Sequence, residues 1–406
     1  MRCDVAVVGA GAAGVAAAVA AGGLRVIVIE REGFVGGLAS SAMVGTLCGL
    51  YYRSLGGARY AVRGFARMFA EQLEAVSGTK PVRGMEGLYF LPYEVDAFHR
   101  EASRKLRQHG VWLRLHSLVT GVEYEGRRIV RLTVHSPDED WQVETGAVID
   151  CTGEARLSRL AGLPCQAVSL QQANAFVFRV AGLPDLPESA LVLTLIRALR
   201  WGIEGQALER ECEGLSIVPG SVVRGSALLK LGMPRQADLT QAELTARARS
   251  HEIVNYLCGR DAALADMRIV AMAPRLGVRS GPRPRGLTVL DEAAVLECAK
   301  PDDGVAIGAW PMEYWGAGRK PKMRYFPMDE HYLIPAPALV SRDFDNLFFA
   351  GRGFSATEMA MASARVIGTC LGTGYAAGVL AAAQVGKGDW RSGVEVVRRE
   401  QVLAPT

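Results

Sequence analysis

The sequence predicts an α/β fold: a three-layer domain built on a parallel sheet and covered by helices, with an α+β unit inserted into it. Three observations carry that expectation. The chain opens on a β-branched run, a glycine pattern, an alanine-rich helical stretch and a second strand, in that order. It closes, from Phe344, on another apolar strand and a long stretch of small residues that reads as a helix returning to the same sheet. The middle lacks this alternation, which suits a segment inserted between two halves of one domain.

Val5 to Val8 is a short apolar run suited to a parallel strand buried on both faces. Gly9, Gly11 and Gly14 follow as GxGxxG, and Val26 to Ile29 is a second buried strand that ends in Glu30. Gly9 permits the tight turn, Gly11 lets a pyrophosphate approach the backbone, and Gly14 lets the helix lie close on the strand. Phosphates then meet the free N–H groups at the helix start, where the macrodipole favours negative charge. Glu30 lies about 20 residues beyond the first glycine, where a carboxylate accepts hydrogen bonds from ribose hydroxyls. A lone GxGxxG carries little; all five features in register point to a dinucleotide. A signal peptide or anchor is the alternative for an apolar start, but Asp4 precedes the run, glycines interrupt it, and Arg25 and Glu30 close it.

After Glu30 comes a glycine-rich loop with Gly36-Gly37. A second glycine pair allows the backbone to meet the pyrophosphate again, which leans the reading from NAD toward FAD. Tyr60–Val76 and Tyr93–His109 read as amphipathic helices. Leu88–Leu91, Val111–Leu115, Leu118–Tyr124, Ile129–His135, Trp141–Val143 and Ala147–Asp150 read as strands. In the middle, Phe176–Val180 reads as a strand, and Leu191–Arg200 and Gln241–Leu257 as helices. Ala309–Phe326 is rich in Trp and Tyr, and a long loop of this kind is a pocket wall, a lid or a contact surface. Asn346–Ala350 is the closing strand.

Half of the 406 residues are hydrophobic, enough for a substantial core in two or three domains or in one large interleaved unit. A formal charge of +4 with scattered arginines gives no reason to expect nucleic acid. Eight cysteines form no CxxC and no Cys/His ligand set, so no metal site is expected and a reducing cytoplasm fits best. Val366–Val385 is apolar, but it is mostly Gly and Ala with Arg365 at its head, so an interior helix is expected and not membrane insertion.

Several segments together resemble the FAD-dependent oxidoreductases of the two-domain flavoprotein type, whose relatives include fumarate reductase and heterodisulfide reductase flavoproteins and tRNA-uridine-modifying flavoproteins. The resemblance rests on VVGAGAAG with Glu30, Gly36-Gly37, VIDCTGEA from Val148, RLGVRSGPRPRGLTVLD from Arg275, YLIPAPAL from Tyr332, NLFFAGR from Asn346 and the closing LGTGYAAGVLAAA. It implies a Rossmann-like three-layer FAD-binding domain of parallel sheet, helices and small antiparallel sheet, over 1–165 and 336–395. A substrate domain would occupy 166–335 and a C-terminal tail 396–406. It further implies that Gly9, Gly11, Ala12, Ala13 and Gly14 hold the pyrophosphate and Glu30 the adenosine ribose. Arg31 and Gly37, with Gly36 and Leu38 beside them, lie along the AMP half. Val119 offers backbone groups to adenine, and Thr152 and Gly153 pack near the cofactor. Gly351 and Arg352 reach the ribityl or pyrophosphate. Many relatives carry an acid where Arg352 stands; a cation there suits a phosphate instead. Thr369 to Gly374 lies at or near a helix start that would stabilise charge on reduced flavin, although its small residues equally suit close packing.

Candidate chemistry is less determined. No second GxGxxG follows a strand, so electrons are expected from substrate or from a separately bound donor. Cys48 would attach the flavin, attack a substrate or simply pack, and Cys151 reads as structural. Arg275 and Arg279 would share a face if their segment is helical, and a guanidinium pair suits a carboxylate; the alternative is a solvated or ion-paired surface. Glu313, His331, Tyr325 and Glu358 are the possible proton acceptors. The expected partner is a small-molecule substrate oxidised by hydride transfer to flavin N5. A monooxygenase or modifying enzyme using external NAD(P)H, and a non-catalytic subunit relaying electrons to a partner, stay open, as does a homo-oligomer.

Overall fold

The computed structural model describes residues 1–168, 172–234, 238–316 and 321–403. The first segment holds β1 (Arg2–Val8), α1 (Ala12–Ala20), β2 (Val26–Ile29), β3 (Trp112–Arg114), β4 (Leu118–Glu125), β5 (Arg128–His135) and β6 (Asp140–Asp150). The middle holds β7 (Asn174–Ala181), α2 (Glu188–Glu204), β8 (Leu215–Ile217), β9 (Ser226–Met233), α3 (Leu239–Arg260) and β10 (Arg268–Met272). The last segment adds β11 (Leu347–Phe349), α4 (Glu358–Ala364) and α5 (Ile367–Lys387).

β3, β2, β1 and β6 form the parallel sheet, and β11 joins it beyond β6. The apolar runs VAVV and VIVI are buried on both faces here, as continuous hydrophobic strands in parallel sheets are. β6 joins two layers. Its first residues pair antiparallel with β5, which pairs with β4, while Val148–Asp150 pair parallel with β11. The sequence suggests two strands here; they are one, because β6 changes partner at Gly146 instead of ending. Where the two partners diverge, the buried Asn346 side chain donates to the carbonyls of Ile129 (2.8 Å) and Gly146 (2.9 Å) and accepts from the Ile129 amide. The junction therefore keeps its polar groups satisfied.

α5 lies on α1 with almost no side chain between them. An ideal Cβ at Gly374 would fall 2.1 Å from the Ala13 carbonyl oxygen, and one at Gly378 2.3 Å from that of Ala17. This contact fastens the last segment to the first. α4 and α5 meet at a bend of 98°, and no single helix among the described residues is long and apolar enough to cross a membrane.

The middle forms a second antiparallel sheet, β8–β9–β7–β10. Its apolar side chains, from Phe176 to Leu276, make a core of their own. Those of Val305, Met312, Tyr332 and Leu333 pack instead with the first and last segments. The unit with its own core is thus shorter than the 166–335 span expected. The described part of the tail is packed: Val397 and Gln401 are buried, and the Gln401 amide donates to the carbonyl of Gly372 (3.1 Å).

Candidate active site

A cavity of about 340 Å³ opens at the carboxyl ends of β1, β2, β6 and β11, within the size range of small-molecule and cofactor sites. Its outer part is the glycine cradle. Gly9 turns at φ +98°, where an added Cβ would meet the Cys151 carbonyl at 2.8 Å. Gly11 bridges to Gly36, and a Cβ on Gly37 would lie 2.8 Å from the Gly11 Cα, so two loops approach backbone to backbone. Ala12 and Ala13 open α1 beside them and line the cavity. Gly351, at φ +69°, would place a Cβ 3.0 Å from that of Ala13, which brings the two ends of the chain to one point.

Glu30 is buried and holds this cradle together. Its carboxylate accepts from the amides of Ala10 (2.6 Å) and Glu32 (2.9 Å), and it still faces the cavity. Arg31, Leu38, Val119, Thr152 and Gly153 also line the space. The Val119 carbonyl already accepts from Arg156 Nε (2.8 Å). Arg352 lies across Gly153 and donates to the Val278 carbonyl (2.6 Å); burial lowers its pKa, and Glu154 opposes that shift.

The inner part is a charged chamber at the start of α5, walled by Cys48, Lys230, Arg279, Glu313, Trp315 and Arg365. Lys230 comes from β9, Glu313 from the short strand Met312–Tyr314, and Arg365 from the α4–α5 bend. Lys230 Nζ and the Arg279 guanidinium both lie over the Trp315 ring, at 4.6 and 4.8 Å from its centre. Glu313 accepts from Trp310 Nε1 (3.0 Å) and stands 3.9 Å from Arg365. Desolvation pushes Lys230 down to about 8, with Arg279 reinforcing and Glu313 opposing the shift. Burial pushes the Cys48 thiol up to about 12, so it stays a protonated, packed side chain.

The structure separates the two arginines expected to act together. The segment 273–279 is neither helical nor regular, so the i, i+4 alignment never forms. Arg275 lines the cavity but pairs with Glu32 (2.9 Å), beside Arg31 and its partners Glu32 and Glu154. Arg279 turns into the inner chamber and donates to the Ala173 carbonyl.

Other expected residues lie outside the cavity lining. His331 is packed edge-on against Tyr52, and burial pushes its pKa down to about 4. Tyr325 carries the Arg53 guanidinium over its ring. Glu358 opens α4 beside Arg283 (3.8 Å). Thr369 is fully buried one turn into α5, with Gly49 close by. Gly14 and Gly374 serve close packing: a Cβ at Gly14 would lie 1.8 Å from the Gly9 carbonyl. The start of α5 that meets the cavity is Val366, Ile367 and Cys370.

Lys230, Arg365 and Arg156 are among the cavity-lining residues that sequence reasoning passed over. Lys230 leaves a signal, as a lone cation in the apolar strand SALLKLGM. Arg365 does too, as the cation heading an apolar helix.

A family model described as FAD dependent oxidoreductase matches residues 4–400. No curated protein matches this chain. Solved structures share the fold. A geranylgeranyl bacteriochlorophyll reductase-like protein from Thermoplasma acidophilum is 14% identical with a TM-score of 0.51, over 98% of this chain and 83% of that one. The anhydrotetracycline hydroxylase OxyS from Streptomyces rimosus is 13% identical with a TM-score of 0.52, over 98% and 66%. The flavin-dependent brominase Bmp2 is 15% identical with a TM-score of 0.53, over 98% and 83%.

Proposed function

The chain belongs to the FAD-dependent oxidoreductase family, and from that premise we propose that it moves a hydride between a small organic molecule in the inner chamber and flavin N5. The observation that carries this reading is the continuity of one cavity, from the glycine cradle to a charged chamber at the start of α5. Bound FAD supplies a two-electron acceptor or donor in its isoalloxazine ring.

The residues fit that cofactor. The cradle of Gly9, Gly11, Gly36 and Gly37 brings two backbone loops together in a packing that leaves no room for a Cβ at Gly9 or Gly37, and the start of α1 offers amides to a pyrophosphate there. Glu30 holds ribose hydroxyls while fixing the loop through Ala10 and Glu32. Arg352 is the cation nearest the junction of the two chain ends and suits a phosphate. In the chamber, Arg279 and Arg365 orient the substrate. Glu313, anchored by Trp310, takes its proton. Trp315 and the apolar wall of Val366 and Ile367 keep water from the reacting atoms.

A second reading is an enzyme that uses external NAD(P)H, in the manner of a hydroxylase. The fold shared with OxyS supports it, though at 13% identity this is support from architecture alone. One experiment separates the readings. The purified holoenzyme is mixed anaerobically with panels of amines, hydroxy acids and thiols, and separately with NADPH, while flavin absorbance is followed. Bleaching by a panel member alone is expected. Bleaching by NADPH alone would replace hydride transfer from substrate with the hydroxylase reading. No bleaching by either, with a protein partner retained on purification, would point to an electron-relaying subunit.

A further inference from the structure

Among the described residues, the inner chamber holds more positive charge than acidic side chains balance. Lys230, Arg279 and Arg365 all wall the same cavity, and Glu313 is the carboxylate that acts on all three. That carboxylate is also shared: its Oε2 accepts from Trp310 and stands 3.9 Å from Arg365, at the outer limit of an ion pair. Arg279 donates to the Ala173 carbonyl, and Arg365 to Gln172 Oε1 and the Glu313 carbonyl. These are neutral acceptors that satisfy N–H groups without cancelling charge. Lys230 and Arg279 lie over the same indole, so two like charges are held side by side in a desolvated space.

Buried charge of this kind is expensive unless something of opposite sign completes it. Among the described residues nothing else facing Lys230 does so. Arg279 reaches it from the segment after β10, Arg365 from the α4–α5 bend and Glu313 from the strand Met312–Tyr314. Cys48, in the loop after Thr46–Leu47, stays a neutral thiol. The outer arginines differ in this respect, because Arg31 and Arg275 meet Glu32 and Glu154.

We propose that the chamber is an anion site: the substrate carries a carboxylate that seats among Lys230, Arg279 and Arg365, with its carbon body against Trp315. The proposal rests on the inner chamber being the substrate site, and it names the substrate's class. It also makes the affinity for that anion depend on the charge of Lys230. The anion favours the protonated amine, so binding is strongest below the free-enzyme value of about 8 and weakens as pH rises through it.

The test uses equilibrium binding to the oxidised holoenzyme, with benzoate and the isosteric neutral benzamide as probes. Binding is followed by tryptophan fluorescence and by perturbation of the flavin spectrum. Benzoate is expected to bind at least about tenfold tighter than benzamide at neutral pH, with its advantage falling by about tenfold per pH unit above the Lys230 transition. Lys230→Arg is expected to keep benzoate binding and abolish that pH dependence, because a guanidinium stays charged. Arg365→Met is expected to weaken benzoate and leave benzamide unchanged. Equal affinity for the two probes, or a pH dependence that survives Lys230→Arg, overturns the proposal. Tight benzoate binding to an enzyme whose flavin no substrate reduces would overturn hydride transfer and leave the anion site standing.

Discussion

Gly374→Ala probes the contact on which the shared architecture depends. The added methyl would fall 2.1 Å from the Ala13 carbonyl oxygen, with the Ala13 carbon and Cα both at 2.7 Å. Even a close C–H···O contact needs about 3.3 Å, so α5 and α1 must part by roughly 1 Å. The obstacle is backbone, which has no rotamer to change. Overpacking of this kind costs about 1–3 kcal/mol, which outweighs the gain of up to about 1 kcal/mol from Ala over Gly in a helix. A net loss of about 1 kcal/mol is expected. The displacement also moves Ala12 and Ala13, so FAD affinity should fall by about tenfold, the equivalent of about 1.4 kcal/mol. Gly386→Ala is the control in the same helix: nothing lies within 4 Å of its Cβ, and it should gain about 0.5–1 kcal/mol. Thermal unfolding with saturating FAD, and flavin fluorescence on dilution, measure the two effects. A Gly374→Ala protein as stable and as tightly flavinated as the parent would refute the reasoning, because α5 would then have room that the backbone distances deny.

Glu30→Gln replaces an acceptor of two amides by a group whose NH2 faces an N–H; the loss of one charge-assisted bond, about 1.5–3 kcal/mol, should appear as weaker FAD binding with the fold intact by circular dichroism. His331 is held neutral in the folded state, so its contribution to stability is present above the unfolded value near 6.5 and lost as pH falls toward 4. Discounted for partial exposure, that is roughly 1–2 kcal/mol; denaturant melts across this window should show the loss, and His331→Phe should flatten it. Cys48→Ala should leave flavin content unchanged, and acid precipitation of the parent should release all the yellow colour, because a thiol pushed up to about 12 is a poor nucleophile. A coloured pellet that turns white in the variant would show a covalent bond instead.

The glycine cradle of the candidate site was legible because it is built from local rules. Gly9, Gly11 and Gly14 are fixed by turn geometry and helix–strand approach, and Glu30 by its place at a strand end; each requirement acts within about thirty residues. Gly351 was legible for the same reason, as the end of a buried strand. The inner chamber was not, because its members come from five separate segments and no spacing relates them. The pairing of Arg275 with Arg279 assumed a helix that the chain does not form there, and the true neighbours of Arg279 are Lys230 and Arg365. His331 could be judged only by what surrounds it, and it packs against Tyr52 outside the cavity lining.

By itself the sequence determined that both ends of the chain form one dinucleotide-binding sheet, since periodicity and glycine spacing are properties of contiguous residues. Tertiary structure alone decided which charges share a desolvated chamber, because Coulomb energy and desolvation depend on distances across the fold, and those exist only once β9, the α4–α5 bend and the strand Met312–Tyr314 have been brought together.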